Sequence, residues 1–160
     1  MICKNVKKCC EKPCYVHAHC NECRIESDSS NIVCQERKRR YNLKNSSGYN
    51  IVKFHMDGGV IIDEPSMPKC DYMLYVKDDR CPMVRFVELK GKDIHHAVEQ
   101  IYSTLKFFRQ DFKKHRLSAR IICKSVPKII DPKDTKLIKC IKKDYNADLL
   151  IRENNYEEKI

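Results

Sequence analysis

The stretch VRFVELKGKDIHHAVEQI, residues 84–101, joins a strand pattern directly to a helix pattern. Alternate side chains of a strand share a face, which places Phe86, Glu88 and Lys90 on one side, while the other side is apolar too. A carboxylate and an ammonium lose much hydration free energy when they are buried in a core. We therefore expect Glu88 and Lys90 at the C-terminal rim of a buried strand, beside a cleft that admits water. A surface ion pair at a strand end is the alternative interpretation of the two residues.

The residues that follow Gly91 predict a long amphipathic helix over residues 93–115. Asp93 is a favourable N-cap, and the Lys-Lys-His end suits the negative end of the helix dipole. Apolar residues recur at helical spacing along this segment: Ile94, Ala97, Val98, Ile101, Leu105, Phe108 and Phe112.

Strand patterns surround this helix, and they predict an α/β fold. Three strands precede it at short intervals and favour an antiparallel meander: residues 49–56, 70–76 and 83–90, with a hairpin turn at Asp57 to Gly59 and a returning strand at 60–63. After the helix, residues 119–126 predict a strand, 131–146 a capped helix and 147–153 a last strand. The residues before 49 show no sustained periodicity, and the final ENNYEEK has low complexity.

A second acid, Asp71, stands at the start of the strand upstream of Glu88. If the two strands are neighbours, the carboxylates of Asp71 and Glu88 can converge on one hard divalent cation. The main-chain carbonyl of Leu89 is a further candidate ligand. Lys90 can then position a water molecule and help to deprotonate it, while the cation stabilises the charge that develops on a phosphodiester.

Together, CDYMLYV at residues 70–76 and the stretch at 84–101 resemble the core of the PD-(D/E)XK nuclease superfamily, which has the restriction-endonuclease-like fold. The resemblance covers residues 49–153 and implies a central mixed β-sheet flanked by helices. It also implies cleavage of DNA or RNA phosphodiesters with Mg²⁺ or Mn²⁺. By this resemblance Asp71 and Glu88 are metal ligands and Lys90 is the catalytic lysine. Gln100 matches a glutamine that some members place near the site, although its helical position allows it to face either a cleft or solvent.

The sequence departs from the superfamily pattern in two places. Pro68, Lys69 and Cys70 precede Asp71 in place of a bare Pro-Asp, and the further acid that many members contribute from an N-terminal helix is not obvious. Glu36 fits that role if its segment is helical, and Asp57 could enter the site from the first hairpin.

Residues 1–48 form a cysteine-rich, basic segment, distinct in composition from the nuclease-like residues 49–160. Seven of the eleven cysteines fall in the first 34 residues. The Cys20-x2-Cys23 spacing suits a structural Zn²⁺ site, which Cys10, Cys14 or Cys34 could complete; free, reduced thiols are the alternative. A basic run, Arg37, Lys38, Arg39 and Arg40, suits contacts with nucleic-acid phosphates.

Charge and hydropathy narrow the functional classes. The 32 Lys and Arg residues exceed the 22 Asp and Glu residues, for a net charge of +10, which favours a polyanionic partner. Apolar runs are too short for a membrane helix, and the N-terminus lacks a secretory h-region, so we expect a cytoplasmic protein without a membrane partner. The expected function is that of a Mg²⁺- or Mn²⁺-dependent nuclease, with DNA favoured over RNA. A homodimer would suit cleavage of both strands.

Two other functions fit parts of the sequence. One is a nuclease-fold nucleic-acid-binding or adaptor protein that lacks catalysis. The other is a zinc-dependent interaction module in which Glu88 and Lys90 are only a structural pair. Only the enzyme predicts metal-dependent cleavage that is lost when Lys90 is removed.

Overall fold

A computed structural model describes residues 24–61 and 66–160, and these residues contain nine strands and two helices. The strands are β1 (Arg24–Ser27), β2 (Asn31–Glu36), β3 (Arg39–Lys44), β4 (Asn50–His55), β5 (Tyr72–Lys77), β6 (Met83–Leu89), β7 (Arg116–Cys123), β8 (Asp148–Glu153) and β9 (Asn155–Lys159). The helices are α1 (Ile94–Phe107) and α2 (Pro132–Tyr145). Neither helix of the described residues is long and apolar enough to cross a membrane.

A six-stranded mixed sheet forms the centre of the described structure, in the order β1-β4-β5-β6-β7-β8. Within this sheet, β1, β4, β5 and β6 pair antiparallel with one another, whereas β6, β7 and β8 run parallel. The predicted α/β class and the predicted meander of β4, β5 and β6 are therefore confirmed. A returning strand was predicted at residues 60–63. Of its described residues, Ile61 makes only an isolated bridge to Asp57 and no strand pairing. Residues 62–65 lie outside the described residues.

The two helices bury their apolar sides in one core cluster with residues such as Phe86 from the sheet. Asp93 caps α1 as predicted, since its side chain accepts a hydrogen bond from the His96 N–H at 2.9 Å. The helix ends at Phe107 rather than near residue 115, and turns carry Phe108 and Phe112 into the same core. The predicted helix is thus too long, because buried aromatic residues continue its spacing through non-helical turns.

A second, three-stranded sheet covers the other face of the central sheet, in the order β2-β3-β9. Its inward side chains, including Cys34, Tyr41 and Leu43, pack against Leu74 and Val87 of the central sheet. These strands were not predicted from the sequence, because β3 pairs in parallel with β9 across more than a hundred intervening residues. The predicted boundary after residue 48 falls between β3 and β4, and β1 on one side of it pairs with β4 on the other.

A buried ionic network joins β9 to the central sheet. The Glu158 carboxylate lies 2.7 Å from Arg85 Nη1 and 2.8 Å from Arg120 Nε, and it accepts a hydrogen bond from the Tyr41 hydroxyl. Burial alone would raise the pKa of Glu158, but Arg120 and Arg85 overcome this and hold it below its ordinary value. The Glu158 carboxylate is therefore shared by two buried guanidinium groups at the interface of the two sheets, and Arg120 Nη2 also lies 3.2 Å from Asp148 Oδ2.

Replacing Glu158 with glutamine is expected to lower the free energy of unfolding by about 2 kcal/mol at neutral pH, because Arg85 loses its counter-charge and Arg120 keeps only the exposed Asp148, at 3.2 Å. Chemical denaturation of the full chain measures the change. Glu157→Gln is the matched control: the Glu157 side chain is half-exposed beside Lys44, glutamine can still accept the hydrogen bond from Asn42, and the midpoint of this variant should not move. An equal loss in both variants would contradict the role of the network.

Candidate functional site

The start of β5 and the end of β6 bring Asp71 and Glu88 to the same edge of the central sheet. Tyr72 pairs with Val87 in the antiparallel register, so the two acids follow directly from neighbouring positions. Asp71 Oδ2 accepts a hydrogen bond from the Leu89 N–H at 2.7 Å. Both acids line one cleft at this edge, and their joint binding of a cation remains a prediction.

Glu88 is held at the boundary between the core and a cleft. Its side chain is only 1% exposed, and its Oε1 lies 3.6 Å from Lys90 Nζ. Its Oε2 is buried and has no hydrogen-bond partner among the described residues. Buried polar atoms are nearly always hydrogen-bonded, so this oxygen is suited to a ligand that the cleft would supply.

Lys90 and Gln100 form a fixed pair on the cleft side of α1. Lys90 Nζ donates to Gln100 Oε1 at 2.7 Å, and Gln100 Nε2 donates to the Lys69 carbonyl at 2.6 Å. Of the two orientations that the sequence allowed for Gln100, the structure has the one facing the cleft. The main-chain carbonyl of Lys69 therefore holds the Gln100 side chain in place, and Gln100 in turn holds the ammonium of Lys90.

The cleft shifts both acids toward their protonated forms. Burial raises the pKa of Asp71 to about 7, assisted by the charge of Glu36 and a hydrogen bond with it, although the Leu89 N–H and Lys90 act in the opposite direction. Burial and the charge of Asp71 raise the pKa of Glu88 to about 9, against the effect of Lys90. Carboxyl groups crowded in this way gain most from an added positive charge.

Glu36 joins these residues from the second sheet. It ends β2 on the face that carries Ile32 and Cys34, and it lines a cleft of about 580 Å³ together with Asp71 and Glu88. Its segment is a strand, so the helix on which its candidacy depended is wrong. The signal in the sequence was the alternation of NIVCQE, in which the apolar face ends in an acid.

The turn between β2 and β3 forms a basic rim on the same cleft. Arg37 has a positive φ of 51°, an uncommon conformation for a residue with a side chain, and it lines the cleft with Lys38 and Arg39. Arg40 points away, because alternate residues of β3 face opposite sides, and it lies beside Tyr156 on the outer surface of the second sheet. Three of the four predicted basic residues therefore meet at the cleft.

Asp57, which was considered from the sequence, and His96 also line this cleft. Asp57 lies 3.4 Å from Lys69 Nζ, and His96 contributes to the wall beside Gln100. His95 turns the other way and contacts Asp134 of α2. Lys69 was not predicted as a site residue, and no sequence signal distinguished it from the many other lysines.

The sequence predicted two kinds of metal site, a Mg²⁺ or Mn²⁺ site at Asp71 and Glu88 and a Zn²⁺ site in the cysteine-rich segment. In residues 24–61 and 66–160, no group of three or more His, Cys, Asp or Glu side chains is arranged to hold a metal ion. Mg²⁺ is commonly held by one or two protein carboxylates plus substrate phosphates, so the pair Asp71 and Glu88, with an unpartnered buried oxygen, fits such an ion.

The predicted zinc ligands Cys10, Cys14, Cys20 and Cys23 lie outside the described residues. Cys34 is described: it is fully buried between the two sheets, and burial raises its pKa to about 12. That environment favours the neutral thiol, whereas zinc binds the thiolate.

No protein-family model matches this chain, and no curated protein does. The chemistry of the cleft at the ends of β5 and β6 is therefore the basis on which a function can be inferred.

Proposed function

We propose that this protein is a nuclease of the PD-(D/E)XK type, which hydrolyses phosphodiester bonds in nucleic acid with Mg²⁺ or Mn²⁺, and that DNA is favoured over RNA. One observation carries the proposal. Two raised-pKa carboxyl groups and a lysine held by a glutamine share one cleft at the rim of the sheet. Strongly shifted groups with a specific charge partner in a cleft are typical of catalytic sites.

The architecture supports this proposal. The central sheet is mixed, its β6 strand carries the acid and is followed at once by the lysine, and α1 comes next with the glutamine. This is the order of elements that the restriction-endonuclease-like fold implies. The second sheet adds Glu36 from a strand, where many superfamily members would use a helix.

Asp71 and Glu88 would hold the divalent ion, and the main-chain carbonyl of Leu89 remains a predicted third ligand. When bound, the ion would polarise the phosphodiester and stabilise its developing negative charge. Holding it requires both carboxyl groups to be ionised, so they must lose protons that burial otherwise favours. Glu36, which interacts with Asp71, would add negative charge beside the ion without being one of its ligands.

Lys90 would orient the attacking water, and its positive charge would favour release of the water's proton to solvent. Its ammonium is restrained by Gln100 on one side and attracted by Glu88 on the other, which limits it to a narrow region of the cleft. Such restraint lowers the entropic part of the barrier. Gln100 acts in this scheme as a positioning residue for the lysine.

The rim of the cleft would bind the substrate backbone. Arg37, Lys38 and Arg39 line the same cleft as the acids, so phosphates drawn to the rim would approach the carboxyl pair. The net charge of +10 adds a long-range attraction for polyanions.

A cleavage panel tests the proposed function. Wild-type protein is incubated with single-stranded and duplex DNA and RNA, each with Mg²⁺, Mn²⁺ or EDTA. We expect cleavage with either metal, none in EDTA, and none for Asp71→Ala, which removes a ligand. A wild-type chain that binds these nucleic acids but cuts none with any divalent metal would instead support the nucleic-acid-binding or adaptor function.

A further inference from the structure

A second cleft, of about 620 Å³, opens at the opposite end of the parallel strands. It includes Arg116 and Leu117 at the start of β7, whereas the first cleft lies where β6 ends. The seven residues of β6 separate the two ends by roughly 20 Å at ~3.3 Å per residue. Its other walls come from the turns after α1 and from the C-terminal end of α2.

The lining of this second cleft is strongly basic. Four of its residues are cations, Arg109, Lys113, Lys114 and Arg116, and one is an acid, Asp144, so the difference is +3. All four cations are exposed. Within the described part of the chain, no salt bridge joins any of them to a carboxylate. Arg85 and Arg120, by contrast, are neutralised by Glu158.

An aromatic platform stands among these cations. The guanidinium of Arg109 lies 5.6 Å from the ring centroid of Tyr145, and the Tyr102 ring packs edge-on against the same tyrosine at 6.0 Å. Tyr145 is half-buried, so its ring is held in place. Cations beside a fixed aromatic ring are the combination used to grip phosphates and stack bases of a single strand.

We propose that the second cleft binds the phosphates of a single-stranded segment of nucleic acid. Lys113, Lys114 and Arg116 contact the backbone, and the Arg109 and Tyr145 pair offers a surface for a base. The proposal goes beyond the nuclease function and does not depend on it, since it requires neither a metal ion nor cleavage at the first cleft.

Protection of Cys81 from alkylation tests the proposal in the full-length chain. Cys81 is exposed and lines the second cleft. Single-stranded DNA of about 12 nucleotides is added in EDTA, and iodoacetamide labelling of the peptide containing Cys81 is followed by mass spectrometry. With free DNA at ten times its Kd, we expect labelling to slow about tenfold.

The decisive variant is K113A/K114A/R116A, and its matched control is K133A/K136A/K139A, which removes the same charge from exposed positions of α2. We expect that DNA no longer protects Cys81 in the first variant. The plot of log K against log salt should also become less steep, by about 2 in the magnitude of its slope. The control should keep protection. Unchanged thermal midpoints verify folding in both variants.

Three results would overturn the proposal. They are wild-type Cys81 that DNA leaves unprotected, equal losses in the two triple variants, and protection by inorganic phosphate or a nucleoside monophosphate without protection by DNA. Because every measurement is made without divalent metal, an inactive first cleft would not change any of them.

Discussion

Replacing Lys90 with alanine is expected to lower the rate of metal-dependent cleavage by about 10³-fold while nucleic-acid binding persists. The ammonium of Lys90 is held between Gln100 Oε1 and Glu88 Oε1, so it lies directly beside the proposed metal ligand. Folding should survive, because the side chain is 24% exposed and β6 ends before it. Single-turnover kinetics separates this loss from any change in binding.

Lys92→Ala is the matched control for that experiment. Lys92 is two residues further on, is exposed, and does not line the cleft. Its removal lowers the net charge by the same amount, so its cleavage rate should stay near that of wild type. If the two variants lost the same activity, the effect would come from overall charge, and Lys90 would have no special role in catalysis.

Replacing Glu88 with glutamine is expected to have two effects of opposite sign: loss of cleavage and a gain in stability of the metal-free protein. Burial raises the folded-state pKa of Glu88 to about 9, well above its ordinary value of 4.5. The folded state therefore retains a proton that the unfolded state releases above about pH 4.5. Stability due to the protonated group is complete below that pH and is lost as pH rises toward 9.

Glutamine keeps the shape of Glu88 and never ionises, so it removes this loss. At pH 8 we expect the free energy of unfolding of Glu88→Gln to exceed that of wild type by on the order of 2 kcal/mol. Near pH 4.5 the two free energies of unfolding should be almost equal. Urea denaturation across this pH range in EDTA measures the difference. Cleavage should fall by about 10²-fold or more, because a metal ligand has lost its charge.

Asp79→Asn provides the control for Glu88→Gln, since Asp79 is exposed in the turn between β5 and β6. It removes one charge as well, yet it should leave both the pH profile and the cleavage rate unchanged. A Glu88→Gln variant that is less stable than wild type at pH 8 would show that the carboxylate serves the fold, and the site would then be a structural ion pair. A gain in stability with loss of activity is typical of residues selected for function.

Local patterns carried most of the central sheet and both helices. The alternation around Phe86 predicted β6, and the spacing after Asp93 predicted α1. The capped helical pattern that begins at Asp131 and Pro132 predicted α2. The rim position of Glu88 and Lys90 also follows from the local pattern. Both faces of the strand are apolar and buried, and an acid and a base cannot continue such a strand into the core.

The second sheet could not be predicted in this way. Its β3 strand takes its partner β9 from the far end of the chain, and such pairing leaves no mark within a short window of sequence. Glu36 therefore entered the site from a strand that was not predicted, and the alternation of side chains along β3 separated Arg40 from the basic residues before it.

By itself, the sequence determined which strand ends on an acid and a base, which helix follows it, and which acid begins the neighbouring strand. These properties depend on periodicity and on the cost of burying charge, both of which act over a few residues. Only the tertiary structure decided that Gln100 faces the cleft, that Glu36 lies against Asp71, and that the two carboxyl groups have raised pKa values. Those properties depend on burial and distance between elements far apart in the chain, which no local pattern specifies.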